Sequence, residues 1–289
     1  MTTLHFDYRQ EGWGRSGHAL KDLFTSCILA ELMEGHATFN ESWRDQAIVP
    51  WEHIATLLSA PLSDYDKVII HRPEKHHWHG ISFEAFTEFR DSLFKCLGRS
   101  NRVQVRISGV FRIHLYQVHN WEHRGWIPPG SFNRLQTLWR QLCLGTRMMK
   151  RAFWPPQAIA IHARRGDVAN PSHDQFSKMG PGGVWSGRFY QDLVEALLEE
   201  FPESAVTVYS ERIGSDDLSG ISQARLELGG EEETRSHFLK MAEADLLIPA
   251  SSSLSTWAAY ATKGQVWIYH RDQLKQFDFD PLPKNMIFQ

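Results

Sequence analysis

From residue 157 to residue 269 the sequence alternates short apolar runs with stretches of helical period, and few folds accept that alternation. Gln157–Ala163 (QAIAIHA), Ala205–Tyr209 (AVTVY), Asp245–Pro249 (DLLIP) and Gln265–Tyr269 (QVWIY) are short, uniformly apolar and rich in β-branched residues, and read as buried strands. Between them, Arg188–Phe201 carries Phe189, Leu193, Leu197 and Leu198 at helical spacing and is closed by Pro202. Glu232–Glu243 places Phe238, Leu239 and Ala242 on one face, and Ser253–Thr262 reads as a third helix. Strands separated by helices imply a parallel sheet covered on both faces. Such sheets bind ligands at the carboxyl ends of their strands, so the loops after Ala163, Tyr209 and Pro249 are where function is sought.

The first half is less regular. Leu4–Tyr8 and Lys67–His71 are strand candidates, and Val103–Leu115 looks extended. Ala19–Met33, Phe83–Leu97 and Leu135–Lys150 have helical period. Trp154-Pro155-Pro156 breaks the pattern just before the second α/β run and marks a linker near residue 155. The expected organisation is an N-terminal domain over 1–153, a C-terminal domain over 154–272 and a tail over 273–289. The tail's Phe277, Phe279, Leu282, Ile287 and Phe288 are apolar enough to pack back on the first domain.

With 289 residues, 42 % of them apolar, the chain has material for two cores. Its 31 Lys and Arg against 34 Asp and Glu leave a formal net charge of −3, which provides no broad positive field to draw in nucleic acid. Its three cysteines, Cys27, Cys96 and Cys143, imply no disulfide framework and no CxxC metal pair. No apolar run is long enough to span a bilayer. The start, Met1-Thr2-Thr3-Leu4-His5, lacks the layout of a signal peptide. A cytoplasmic protein is therefore expected, with the Golgi lumen open only if an anchor lies outside this chain.

Three segments carry chemistry. Ile161-His162-Ala163-Arg164-Arg165-Gly166-Asp167 lies where the first strand of the second domain ends. Two forked guanidiniums beside a glycine suit a phosphate or pyrophosphate; the plainer alternative is an Arg165–Asp167 surface pair with His162 a buried strand residue. Ala250-Ser251-Ser252-Ser253-Leu254-Ser255 follows a strand and opens a helix, where serines either cap the helix or hold an anion at its positive end. Gly12-Trp13-Gly14-Arg15-Ser16-Gly17-His18 matches the spaced glycines of a dinucleotide turn, but without the acidic residue that completes that fingerprint, and a plain tight turn fits as well.

In this order the three segments resemble the motifs of the GT-B fucosyltransferases, the superfamily spanning α1,2-, α1,6- and protein O-fucosyltransferases. His237–Ser253 (HFLKMAEADLLIPASSS) and Val206–Glu211 (VTVYSE) are especially similar. The resemblance implies a GT-B-like fold, two Rossmann-like α/β domains facing across a cleft, the first on the acceptor side and the second binding the nucleotide sugar. It implies donor-binding roles for Gly12, Gly14, His162, Arg164, Arg165, Ser210, Ser252 and Ser253, with Glu211 near the nucleoside and Gly17 a further loop contact. It also implies an inverting, metal-independent transfer from GDP-fucose to a glycan or other hydroxyl acceptor, with no cofactor beyond the donor. Where some relatives have an Asp that recognises guanine, this chain has Arg235, so a UDP-sugar or another GDP-hexose stays open, as does a non-catalytic nucleotide-sugar or glycan-binding module. No Glu follows the Arg motif closely, which leaves Asp167 as first choice of base, with Asp174 and His173 behind it; Asp167 bracing Arg165 is the alternative.

Lys75–His79 (KHHWH) has three histidines, but no Cys or carboxylate stands near at a zinc-ligand spacing. The chain has 11 tryptophans, and Trp78 and Trp121 are the rings that suit stacking on an acceptor sugar, with Trp126 beside the second; core packing is the alternative for each.

Overall fold

The computed structural model describes residues 2–8, 16–39, 48–73, 80–145, 152–165, 185–212, 215–230, 232–269 and 278–288. The chain is α/β and divides into two compact units, Met1–Gly145 with Phe279–Pro281, and Thr146–Asp278 with Leu282–Gln289.

The first unit contains β1 (Thr3–Tyr8), α1 (Ser16–Leu32), β2 (His36–Ala37), α2 (Trp51–Leu57), β3 (Lys67–His71), α3 (Phe83–Leu97), β4 (Arg102–Ile107), α4 (Leu115–His123) and α5 (Ser131–Leu144). Its four strands are parallel in the order β2-β1-β4-β3. Val103–Leu115 is not extended throughout: β4 stops at Ile107 and Gly109, at φ +80°, turns the chain. The last helix starts earlier than its apolar period suggests and ends at Leu144, because Gly145 takes φ +66° and closes it. Beyond the strand ends, Arg112 donates from Nε and Nη2 to Asp22 at 2.6 and 3.2 Å, both side chains buried.

The second unit contains β5 (Ala158–Ala163), α6 (Gly187–Glu200), β6 (Ala205–Glu211), a 3-10 turn (Asp216–Leu218), β7 (Arg225–Gly229), α7 (Thr234–Glu243), β8 (Leu246–Ile248), α8 (Ser253–Ala261), β9 (Gln265–Ile268) and β10 (Met286–Phe288). Its six parallel strands run β10-β9-β8-β5-β6-β7. Counted within the unit this is 3-2-1-4-5-6 read from the β7 edge, the dinucleotide-fold order. α6 packs Tyr190, Leu193, Val194 and Leu197, a 3–4 spacing, on the face that carries Ile159, Ile161, Val206 and Val208. Alternation along the strands sends His162 and Tyr209 to the other face, where the Tyr209 ring meets His237 of α7 at 5.2 Å. α8 is apolar nearly all round and buried from Ser255 to Ala261, as an inner helix must be.

The division between units falls at Gly145, ahead of the Pro155-Pro156 pair. The reason is Asp245. Its buried carboxylate accepts backbone N–H bonds from Phe153, Gln157 and Ala158 at 2.9–3.0 Å, which ties the approach to β5 into the second unit. The tail divides as well. Phe279 packs on His119 and Phe132 of the first unit, and the Asp280 N–H donates to Asn120 Oδ1. Met286–Phe288 instead adds the edge strand β10 to the second sheet, a role its apolar composition alone did not reveal.

Candidate functional site

A doubly wound sheet leaves a crevice where its strand order reverses, because helices on the two sides leave in opposite directions. In the second unit that point lies between β5 and β8, which are hydrogen-bonded neighbours. β5 ends in Ala163-Arg164-Arg165 and β8 in Pro249-Ala250-Ser251, so the two sharpest sequence motifs, 87 residues apart, meet there. Arg164 Nη1 donates to the Ser251 carbonyl in a short hydrogen bond, and its side chain is half-buried.

Ser252 is the N-cap of α8. Its Oγ accepts from the Leu254 N–H at 3.3 Å and its carbonyl accepts from the Thr256 N–H and Oγ1 at 3.0 and 2.8 Å. The Ser252 hydroxyl thus accepts with a lone pair and keeps its own proton to donate. Ser253 begins the helix beside it, partly exposed. Arg164, the Ser252 hydroxyl and the positive end of α8 therefore converge on one corner, which suits an anion.

Arg165 does something else. It is 1 % exposed, and its guanidinium donates from Nε and Nη2 to the two oxygens of Asp217 at 3.1 and 2.9 Å. Its Nη1 donates to the Arg164 carbonyl at 2.9 Å, and its carbon sits 5.3 Å from the centre of the Tyr190 ring. A guanidinium so enclosed braces the loop. Sequence reading missed Asp217, 52 residues away. The available signal was strand pairing: Ala163 opposite Ser210 brings the turn after β6, with its Asp216-Asp217 pair, beside Arg165.

His162 and Ser210 are both buried at the strand ends, and neither His162 Nδ1 nor Ser210 Oγ has a hydrogen-bond partner. Burial, then the nearby Arg164, His237 and Arg165, pushes the His162 imidazole down to about 3, so the ring is neutral at ordinary pH, with one nitrogen a donor and the other an acceptor. Glu211 closes β6, half-buried. A hollow of about 520 Å³ lies past β6 and β7, lined by Arg212, Gly230, Glu232 and Glu233. Its two acids disfavour an anion, which makes the Arg164–Ser252 corner the better candidate for one.

Gly12, Gly14, Trp78, Asp167, His173 and Asp174 lie outside the described residues. Trp121 is 5 % exposed and packs between Phe83 and Phe86 at 5.3 and 5.5 Å, so it is a core ring of the first unit and offers no platform for an acceptor sugar. Trp126 beside it is 42 % exposed with the Arg124 guanidinium over its ring. Among the described residues no group of three or more His, Cys, Asp or Glu is placed to hold a metal ion, and no helix is long and apolar enough to cross a membrane.

No family model matches the chain, and no curated protein matches it. Among solved structures, POFUT1 in complex with GDP aligns over 98 % of this chain and 98 % of its own at a TM-score of 0.48 and 11 % identity. POFUT1 in complex with GDP-fucose aligns over 99 % and 98 % at 0.41 and 10 %. Likeness at this level carries no argument about what the chain binds.

Proposed function

We propose that this chain is an inverting glycosyltransferase that takes a nucleotide-diphosphate sugar, GDP-fucose first, and passes the sugar to a hydroxyl of a glycan or other acceptor without using a metal ion. The observation that carries the reading is the meeting of Arg164 with the Ser251–Ser253 turn at the point where the second sheet reverses. In glycosyl transfer the leaving group is a nucleoside diphosphate, and its departure is easy once its growing charge is matched. The Arg164 guanidinium, the Ser252 proton and the first-turn N–H groups of α8 supply that match. Asp167 is assigned as the base that takes the acceptor proton. Asp217 already fills the fork of Arg165, which supports that role for Asp167 over bracing.

The test is a thermal melt of the protein with GDP, UDP, ADP and CDP, followed by assay of donor hydrolysis and transfer with and without EDTA. A melt raised by GDP, with EDTA-insensitive turnover of GDP-fucose, is expected. A melt raised by UDP alone reassigns the donor, binding without turnover makes the chain a binding module, and no response to any nucleotide overturns the proposal.

A further inference from the structure

One carboxylate links features that the proposed site needs but that it does not touch. Asp217 stands on the 3-10 turn after β6. Its Oδ1 and Oδ2 accept the fork of Arg165, and Oδ2 also accepts the Gly187 N–H at 2.6 Å, the first residue of α6. The approach is so close that a Cβ at Gly187 would lie 1.8 Å from the Asp217 carbonyl oxygen, so only glycine admits the contact. Arg165, fixed this way, turns its Nη1 back onto the Arg164 carbonyl. The Arg164 peptide is therefore held from the β6 side while its side chain reaches to the β8 side, onto Ser251.

We infer that Asp217 is a positioning residue: through Arg165 it sets the backbone from which Arg164 reaches a ligand phosphate. The inference rests on the proposed anion site, and it extends that site by a residue that touches no substrate. A carboxylate that served only fold stability would move the melt without changing the order of Arg164 in particular.

The experiment uses the full chain with ¹⁵N-labelled arginine, observing the side-chain Nη–H resonances without ligand, and then measures GDP and UDP affinity by calorimetry. In the wild type, slowly exchanging signals are expected from both Arg164 and Arg165, assigned with Arg164→Lys and Arg165→Lys. Asp217→Asn keeps the shape and removes the charge. It is expected to abolish the protected signal of Arg165 and also that of Arg164, which Asp217 does not touch, and to weaken nucleotide binding at least tenfold, with Asp217→Glu recovering part of the loss. An Arg164 signal that survives in Asp217→Asn, or an affinity within twofold of wild type, overturns the inference. If the wild type binds neither nucleotide, the anion site fails on its own account, and the Arg164 signal still decides whether Asp217 positions it. Should Asp217→Asn not fold, Arg165→Gln removes the other half of the pair without leaving a buried charge and takes the same two measurements; if that also fails to fold, the pair belongs to stability and the positioning role is rejected.

Discussion

At a single residue, chemistry and packing separate cleanly between two adjacent arginines. Arg164 is half-buried and donates to the Ser251 carbonyl, whereas Arg165 is enclosed by a carboxylate, a carbonyl and a tyrosine ring. A donor aimed at a leaving phosphate in a partly desolvated site is worth roughly 2–4 kcal/mol in the transition state, about 10²–10³ in rate. Arg164→Ala is therefore expected to lose that much turnover while its melt without ligand shifts little; near-normal transfer by the folded variant removes Arg164 from the site. Asp167→Asn gives a different signature, because an amide keeps the shape but cannot take a proton. Lost turnover with unchanged nucleotide affinity is the expected result, and a parallel loss of affinity assigns Asp167 to donor binding or bracing. The sequence singled out Arg164 as a candidate because a guanidinium just past a buried strand suits an anion. It could not separate Arg164 from Arg165, since their difference is made by Asp217, which no local spacing indicates.

At the level of elements, the carboxylate of Asp245 is the clearest case of a polar side chain replacing a loop's missing backbone partners. It opens β8 and accepts three N–H groups from the approach to β5, one of them that of Ala158 at the strand's first residue. Asp245→Ala leaves three backbone donors, on residues that water can reach in part, without their acceptor, and a loss of about 1–3 kcal/mol is expected, read as a lower urea midpoint at unchanged slope. A change below about 0.5 kcal/mol means that water replaces the carboxylate fully. The strands β5, β6, β8 and β9 were readable because each is a buried apolar run bounded by turns. β7 was not, because RLELG alternates charge with leucine at the edge of the sheet and lacks the continuous apolar run of an inner strand. β10 has three residues and pairs on one side only, too short for any period to show. The ring of Trp121 was misplaced for a related reason: composition counts aromatic rings but does not say which ones a core takes up.

Across the whole molecule, four histidines share one electrostatic property that no count of charges reveals. His5 and His119 in the first unit and His162 and His237 in the second all have lowered pKa values, with burial the largest cause in each. The fold makes each of these rings harder to protonate than in the unfolded chain, where a histidine takes a proton near pH 6.5. Below that pH the unfolded state binds more protons than the native state, so stability rises with pH in this range and falls on acidification. The contribution is complete above about pH 6.5 and is lost as the pH drops toward each folded value, which for His162 is about 3. At 1.36 kcal/mol per pH unit, His162 alone accounts for about 2 kcal/mol of the stability lost between neutral pH and pH 5. His162→Gln removes the titrating ring while keeping a polar side chain of similar reach. Its urea midpoint is expected to fall less steeply than that of the wild type between pH 7 and pH 5, even if it starts lower. Parallel lines for the two proteins show that His162 already takes up a proton in the fold, which is incompatible with a ring buried beside two arginines.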